Sequence, residues 1–241
     1  MDSGADITAV ASALASQSRA RMVNLMFDGR SHPAGDLARE AGVALSTASG
    51  HLSQLMNAGL VTMVRVGRQR RYRLSGPQAA QAIEALAAVA PHRRRAFDAT
   101  TEAARLRAGR TCYDHLAGGL GIAITDGLVG RGALRRQGRN FKLTRLGMEL
   151  FTSLGVDVTA ARSRKRSFAH ACLDWTEHRY HLGGALGAAV CEELFAASWA
   201  RRVGRSRAVA VTEDGLTSLG RVLGIELAWS RPSTQRGEPK L

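Results

Sequence analysis

At 241 residues with 45% apolar side chains, the chain is long enough for one large or two small packed domains, which excludes wholesale disorder. Thirty-four Lys and Arg against 20 Asp and Glu leave a net charge of +14, a balance that favours a polyanionic partner because neutralised phosphates release counterions. Only Lys142, Lys165 and Lys240 are lysines, and basic residues run through the whole chain, so charge by itself does not locate a binding face. Cys112, Cys172 and Cys191 form no CxxC pair and no disulfide framework, which fits a reducing compartment. The start, MDSGADITAV, lacks the basic and apolar regions of a secretory signal. The most apolar stretch, Leu182 to Ala200, contains Glu192 and Glu193. The expectation is a cytoplasmic protein with no membrane partner.

Ile7, Val10, Ala11 and Leu14 recur at helical spacing, as do Met22, Val23, Leu25 and Met26. Asp28-Gly29-Arg30 closes the second helix, and Pro33 sits in the loop before a short helix from Ala34 to Ala41 that Gly42 ends. The next helix starts at Ala44 or Ser46 and stops at Gly59. Ala48, Leu52, Leu55 and Met56 mark its core side. Ser46, Thr47, Gly50, His51 and Gln54 fall on the other side, and with Ser49 they are candidates for base-edge and phosphate contacts in a major groove. His51 reads equally as a packing histidine, and Gly50 either admits a close backbone approach or weakens the helix. The following segment, LVTMVRVGRQRRYRL, alternates around Gly67-Arg68 as a β-hairpin. It carries Arg65, Arg68, Gln69, Arg70, Arg71 and Arg73. Five arginines on so short a hairpin repel one another unless an anion lies against them.

These residues carry a resemblance. Leu37-Ala38, Gly42-Val43, Ser49-x-His51-Leu52-x-x-Leu55, Ala58-Gly59-Leu60-Val61 and Gly67-Arg68 before Tyr72-x-Leu74 together resemble the ArsR family of bacterial winged-helix regulators. The resemblance covers roughly the first hundred residues. It implies a homodimer built on residues 5 to 16 and on the helix after Pro77, with two recognition helices reading an inverted repeat in double-stranded DNA. It also implies repression relieved by an effector. The family's metal sensors carry paired cysteines before the recognition helix; His32-Pro33-Ala34-Gly35-Asp36-Leu37 has none.

Residues 77 to 108 read as helical, broken at Pro91 beside Arg93-Arg94-Arg95. Beyond Gly109 a duplication is visible. His115-Leu-Ala-Gly118-Gly-Leu-Gly121 recurs as His181-Leu-Gly-Gly184-Ala-Leu-Gly187, and Leu143-Thr144-x-x-Gly147 recurs as Val211-Thr212-x-x-Gly215. Cys112-Tyr-Asp114 and Cys172-Leu-Asp174 precede the two copies. Each copy reads as helix, basic hairpin, helix. The glycines favour close helix packing over a ligand-lined concavity.

The densest chemistry is HACLDWTEHRYH. As a helix it places His170, Asp174, His178 and His181 on one face, a candidate site for zinc, nickel or cobalt as cofactor or effector. Cys172 and Trp175 read alternatively as a buried seam. A thiol sensor formed by Cys112 and Cys172 is a second candidate. A small organic effector between the copies, near Trp175, Phe195 and Trp199, is a third. No P-loop, GxSxG, HExxH or dinucleotide fingerprint supports an enzyme. A protein-interaction scaffold is the remaining alternative, and it leaves the arginine hairpin without a partner.

The expected fold is mainly α (α+β), with an N-terminal winged helix-turn-helix and a C-terminal duplicated, helical, winged-helix-like domain. The expected divisions are 1–108 for DNA binding and dimerisation, 109–232 for sensing or dimer bracing (repeats about 110–157 and 172–227), and a disordered tail at 233–241.

Overall fold

The computed structural model describes residues 4, 6–90, 101–204 and 206–227. The expected break at Pro91, the Arg93–Arg95 run and the 233–241 tail lie outside the described residues.

Asp6 caps α1 (Ile7–Leu14) by accepting from the Ala9 amide, and Ser16 caps α2 (Gln17–Met26) through the Arg19 amide. Helix α3 (Ala34–Ala41) ends in left-handed Gly42, whose amide donates back into the last turn. Helix α4 (Leu45–Asn57) buries Ala48, Leu52 and Leu55 against Met22, Met26 and Leu37. Each such leucine contributes on the order of 2 kcal/mol of burial. Strands β2 (Val61–Val66) and β3 (Gln69–Leu74) form the hairpin around Gly67-Arg68. Pro33, expected in a loop, instead belongs to the two-residue strand β1 (His32–Pro33), which pairs with β3 at the sheet edge, where a missing amide is tolerated. Helix α5 (Pro77–Val89) follows.

Helix α6 (Thr101–Ala108) leads into the duplicated region. The first copy runs β4 (Arg110–Cys112), β5 (His115–Ala117), α7 (Gly118–Gly130), β6 (Leu134–Gln137), β7 (Asn140–Leu143) and α8 (Arg145–Ser153). After α9 (Val158–Ser163) the second copy runs β8 (His170–Leu173), β9 (Tyr180–Gly183), α10 (Gly184–Ala196), β10 (Ala200–Arg202), β11 (Val209–Val211) and α11 (Glu213–Leu223). Each copy therefore has a leading hairpin that the sequence reading lacked.

The copies exchange edges. The first copy's second hairpin pairs with the second copy's leading hairpin in the sheet β6-β7-β8-β9, through Asn140 opposite His170. Reciprocally, a bridge between Arg110 and Ala208 joins the second copy's β10–β11 hairpin to the first copy's β4. One core serves both, with Leu120, Ile124 and Leu128 of α7 packed in the same cluster as Leu186, Val190 and Leu194 of α10. The glycines belong to this packing: a Cβ on Gly121 would overlap the Leu116 carbonyl, and one on Gly187 would overlap the Leu182 carbonyl. Helices and leading hairpins approach too closely there for any side chain.

Candidate nucleic-acid interface and a buried Cys–His cluster

On α4, Ser46, Thr47, Ser49, Gly50 and Gln54 are exposed and His51 is half-buried, while Ala48, Leu52 and Leu55 face inward. The helix thus has an apolar seat and a short-chained, uncharged outer face, with Gln54 already held by Arg19 of α2 at 2.6 Å. On the hairpin, Arg65, Arg68, Gln69, Arg70 and Arg73 are exposed. Arg71 is different: it is half-buried and its guanidinium donates to the Ser31 carbonyl at 2.6 and 3.1 Å, which ties β3 to the segment before β1. Its role in the fold is to hold the sheet, and it shares the hairpin with four outward arginines.

A recognition-type helix seated on an apolar core, beside a hairpin rimmed with arginine, defines a winged-helix DNA-binding protein. The family described as bacterial regulatory protein, arsR family, matches residues 16–63. The chain is 36% identical over 223 residues, 92% of its own length and 99% of the relative's, to the uncharacterized HTH-type transcriptional regulator YdfF of Bacillus subtilis. It is also 40% identical over 77 residues to the HTH-type transcriptional regulator CmtR of Mycobacterium tuberculosis, which spans 32% of this chain and 64% of that one. Among solved structures, the homodimeric winged helix-turn-helix domain of Mb0332 from Mycobacterium bovis matches with 30% identity and a TM-score of 0.32 over 33% of this chain and 73% of that one. The chain belongs to the ArsR family and is a DNA-binding transcriptional regulator.

The second candidate region needs correction. Residues 170–181 form no helix; they are the β8–β9 hairpin. The turn is fixed by Asp174, which accepts from the Thr176 and Glu177 amides at 2.9 and 3.1 Å. His170, Asp174, His178 and His181 therefore do not share one face. His178 is exposed, at φ 53, in the turn. Asp174 is fully buried and committed to Arg110, at 3.0 Å from each carboxylate oxygen, and to the Gly118 amide at 2.7 Å. Burial opposes its ionisation, but the Arg110 charge, then His181 and the donated hydrogen bonds, hold the carboxyl well below the usual carboxylate range. Trp175 lies under the Arg110 guanidinium at 4.9 Å, and Phe195 under that of Arg202 at 4.9 Å.

What the fold assembles instead is Cys112, His115, Cys172 and His181. All four are buried, and one ligand-capable atom of each lies within 4.8 Å of the others. Cys112 stands opposite His115 in the β4–β5 hairpin, and Cys172 opposite His181 in β8–β9. Each copy thus supplies one cross-strand Cys–His pair. The sulfurs are 3.9 Å apart and the two Nε2 atoms 3.2 Å apart. Behind the rings, His115 Nδ1 meets Asp114 at 3.3 Å and His181 Nδ1 meets Asp174 at 3.6 Å. Arg166 holds Asp114 as Arg110 holds Asp174. The Cys172 sulfur and burial keep the Cys112 thiol well above its ordinary value. Burial, then the neighbouring His115, push His181 well below its own. Burial also works against the His115 cation, yet Cys112 and Asp114 outweigh it and raise His115 to about 10. Burial and the His115 charge push half-buried His170 down to about 4; its ring lies 6.0 Å from His115 and 3.3 Å from the Gln81 amide of α5.

Sequence reasoning brought Cys112 and Cys172 together from the duplication but missed His115 as their companion. The signal was present: both copies carry a Cys followed by the His that opens the repeated motif.

Proposed function

We propose that the protein is a homodimeric repressor that binds an inverted-repeat operator in double-stranded DNA and is released by an effector sensed in residues 109–232. The observation that carries this reading is the outer face of α4. Five exposed groups without charge (Ser46, Thr47, Ser49, Gly50 and Gln54) lie beside a hairpin whose exposed arginines fit phosphate oxygens. In this reading α4 enters the major groove, and Arg65, Arg68, Arg70 and Arg73 grip the backbone or minor groove.

Dimerisation is supported by apolar side chains left facing solvent on the two helices the family resemblance assigns to that role: Ile7 on α1 is 74% exposed, and Leu86 and Val89 on α5 are 51% and 80% exposed. Among the described residues no helix is long and apolar enough to cross a membrane. Residues 1–108 act as reader and dimer unit, and the duplicated region senses.

The test is retardation of the DNA upstream of the protein's own gene, with sequence-scrambled DNA as competitor. Specific retardation that is lost when Ser46, Thr47 and Gln54 are replaced together by alanine supports the reading. Binding that does not discriminate between the two DNAs refutes it.

A further inference from the structure

We propose that Cys112, His115, Cys172 and His181 are the four ligands of a tetrahedral site for a divalent, thiophilic metal ion of the zinc class, held between the two copies.

Three observations converge. The first is the size of the cluster. Zinc–sulfur bonds of about 2.3 Å and zinc–nitrogen bonds of about 2.05 Å at tetrahedral angles set sulfurs about 3.8 Å apart and nitrogens about 3.3 Å apart. The separations here are 3.9 and 3.2 Å. A disulfide needs about 2.05 Å. The second is the orientation of the imidazoles. Both Nδ1 atoms face buried or half-buried carboxylates, Asp114 and Asp174, each anchored by an arginine. A proton placed on each Nδ1 leaves both Nε2 lone pairs aimed at one point. For His115 that is the carboxylate–histidine–metal arrangement that fixes ligand tautomers around metals, and His181 Nδ1 points at Asp174 from 3.6 Å, an ion-pair distance. At 3.2 Å the two Nε2 atoms share one proton when no ion is present, and a metal cation takes the place of that proton. The third is charge. On ligation each thiol, and the His115 imidazolium, gives a proton to solvent, so two thiolates balance a divalent ion with both imidazoles neutral. The assembled centre has no net charge, as a fully buried site requires.

All four positions are filled by protein, so the site is closed in the manner of structural and sensory zinc rather than catalytic zinc. The sulfur–nitrogen donor set selects zinc and cobalt over magnesium or calcium. Since each copy contributes half of the ligands, the ion cross-links the β4–β5 and β8–β9 hairpins. The first of these is hydrogen-bonded to the winged helix through Phe27, and His170 of the second meets Gln81 of α5. The further step, that occupancy alters operator affinity, rests on the regulator reading above.

The experiment uses the full chain, purified with reductant, stripped with a chelator and titrated with cobalt(II). Expected are one ion per chain, intense visible absorption of tetrahedral cobalt with thiolate charge transfer, and displacement by zinc(II). The Cys112→Ser/Cys172→Ser pair of substitutions is expected to abolish the charge-transfer band, while Cys191→Ser and His178→Ala leave it intact. Zinc-edge X-ray absorption on the unmutated protein needs no variant and is expected to show two sulfur and two nitrogen neighbours. A shell of light atoms only, a charge-transfer band that survives the double substitution, or a Cys112–Cys172 disulfide in protein prepared without oxygen overturns the site. Operator retardation with and without zinc is read separately. Equal affinity in both states removes the effector role and leaves the site; absence of any specific retardation removes the regulator reading while the spectra stand.

Discussion

The backbone amide of Tyr113 donates to the Phe27 carbonyl at 2.9 Å. Tyr113 is in the two-residue turn of the β4–β5 hairpin, between Cys112 and His115, and Phe27 caps α2 of the winged helix. The Thr111 hydroxyl donates to the same carbonyl at 3.3 Å. The buried cluster is thus one hydrogen bond away from the helix that α4 packs against.

Gly29 lies against this contact. Its φ is 75°, and a Cβ there would stand 2.5 Å from the Tyr113 carbonyl oxygen. Gly29→Ala combines left-handed strain with a backbone overlap, and is expected to cost about 2 kcal/mol. Denaturant unfolding measures it; an unchanged midpoint and slope would show that the two regions do not touch in solution.

The arginines of the hairpin separate into two kinds. Arg68→Ala is expected to lower the dependence of log K on log salt by about 0.9 with no change in melting temperature, as for one lost phosphate contact. Arg71→Ala removes the bonds to Ser31 and is expected to destabilise the fold by about 1 kcal/mol. Salt-titrated retardation and thermal melts distinguish them. The reverse pattern contradicts the assignment.

Arg110 and Asp174 are both fully buried, and one guanidinium nitrogen of Arg110 donates to both carboxylate oxygens. Asp174→Ala strands a buried guanidinium and is expected to cost about 3–5 kcal/mol. Pairing it with Arg110→Met should recover much of that loss, which a double-substitution cycle in urea would reveal. Equal losses in the single and double variants would mean that the carboxylate acts through Gly118 and Thr176 alone.

Asp28 sets the acid limit of the winged helix. Burial raises this carboxyl, but the hydrogen bond to His32 at 2.9 Å, the Arg30 amide and the Arg30 side chain outweigh it and hold it below its usual value. A group whose folded value is depressed stabilises the fold above its unfolded value, about 3.9, and that contribution disappears as pH falls through the folded value. Asp28→Asn is therefore expected to reduce stability at neutral pH and flatten its decline below about pH 4. Parallel slopes for the two proteins in acid would refute this.

Leu86→Glu combined with Val89→Glu places charge on the exposed apolar face of α5 and is expected to shift the protein to monomer and weaken operator binding at least tenfold. Sedimentation and retardation read the two effects. A dimer that persists places the interface elsewhere.

The winged helix was legible because its signals are local. Ala48, Leu52 and Leu55 repeat at helical spacing, Gly42 stops α3, and Gly67-Arg68 turns the hairpin. Beyond Gly109 only part could be read. The second hairpin and last helix of each copy follow from the repeated Thr-x-x-Gly cap, where Thr144 and Thr212 accept from the Gly147 and Gly215 amides at 2.9 and 3.1 Å. The leading hairpins could not be read. Their strands have three or four residues, and β8–β9 has buried residues on both strands, too few to show a period. His170, Asp174 and His178 are spaced by four, which imitates a helix, whereas the fold pairs Cys172 with His181 across nine residues. The pairing of Asn140 with His170 is a contact between copies, and no local pattern announces it.

The exchange of edges has a consequence for how such a region arises. A polypeptide with a single copy would leave strand edges open on both hairpins and would offer half a ligand set. Two separate chains associating about an axis could complete both, though only when abundant enough to meet. Joining the copies in one chain turns that encounter into an intramolecular event with a high effective concentration. The arrangement then holds however dilute the regulator becomes in the cell.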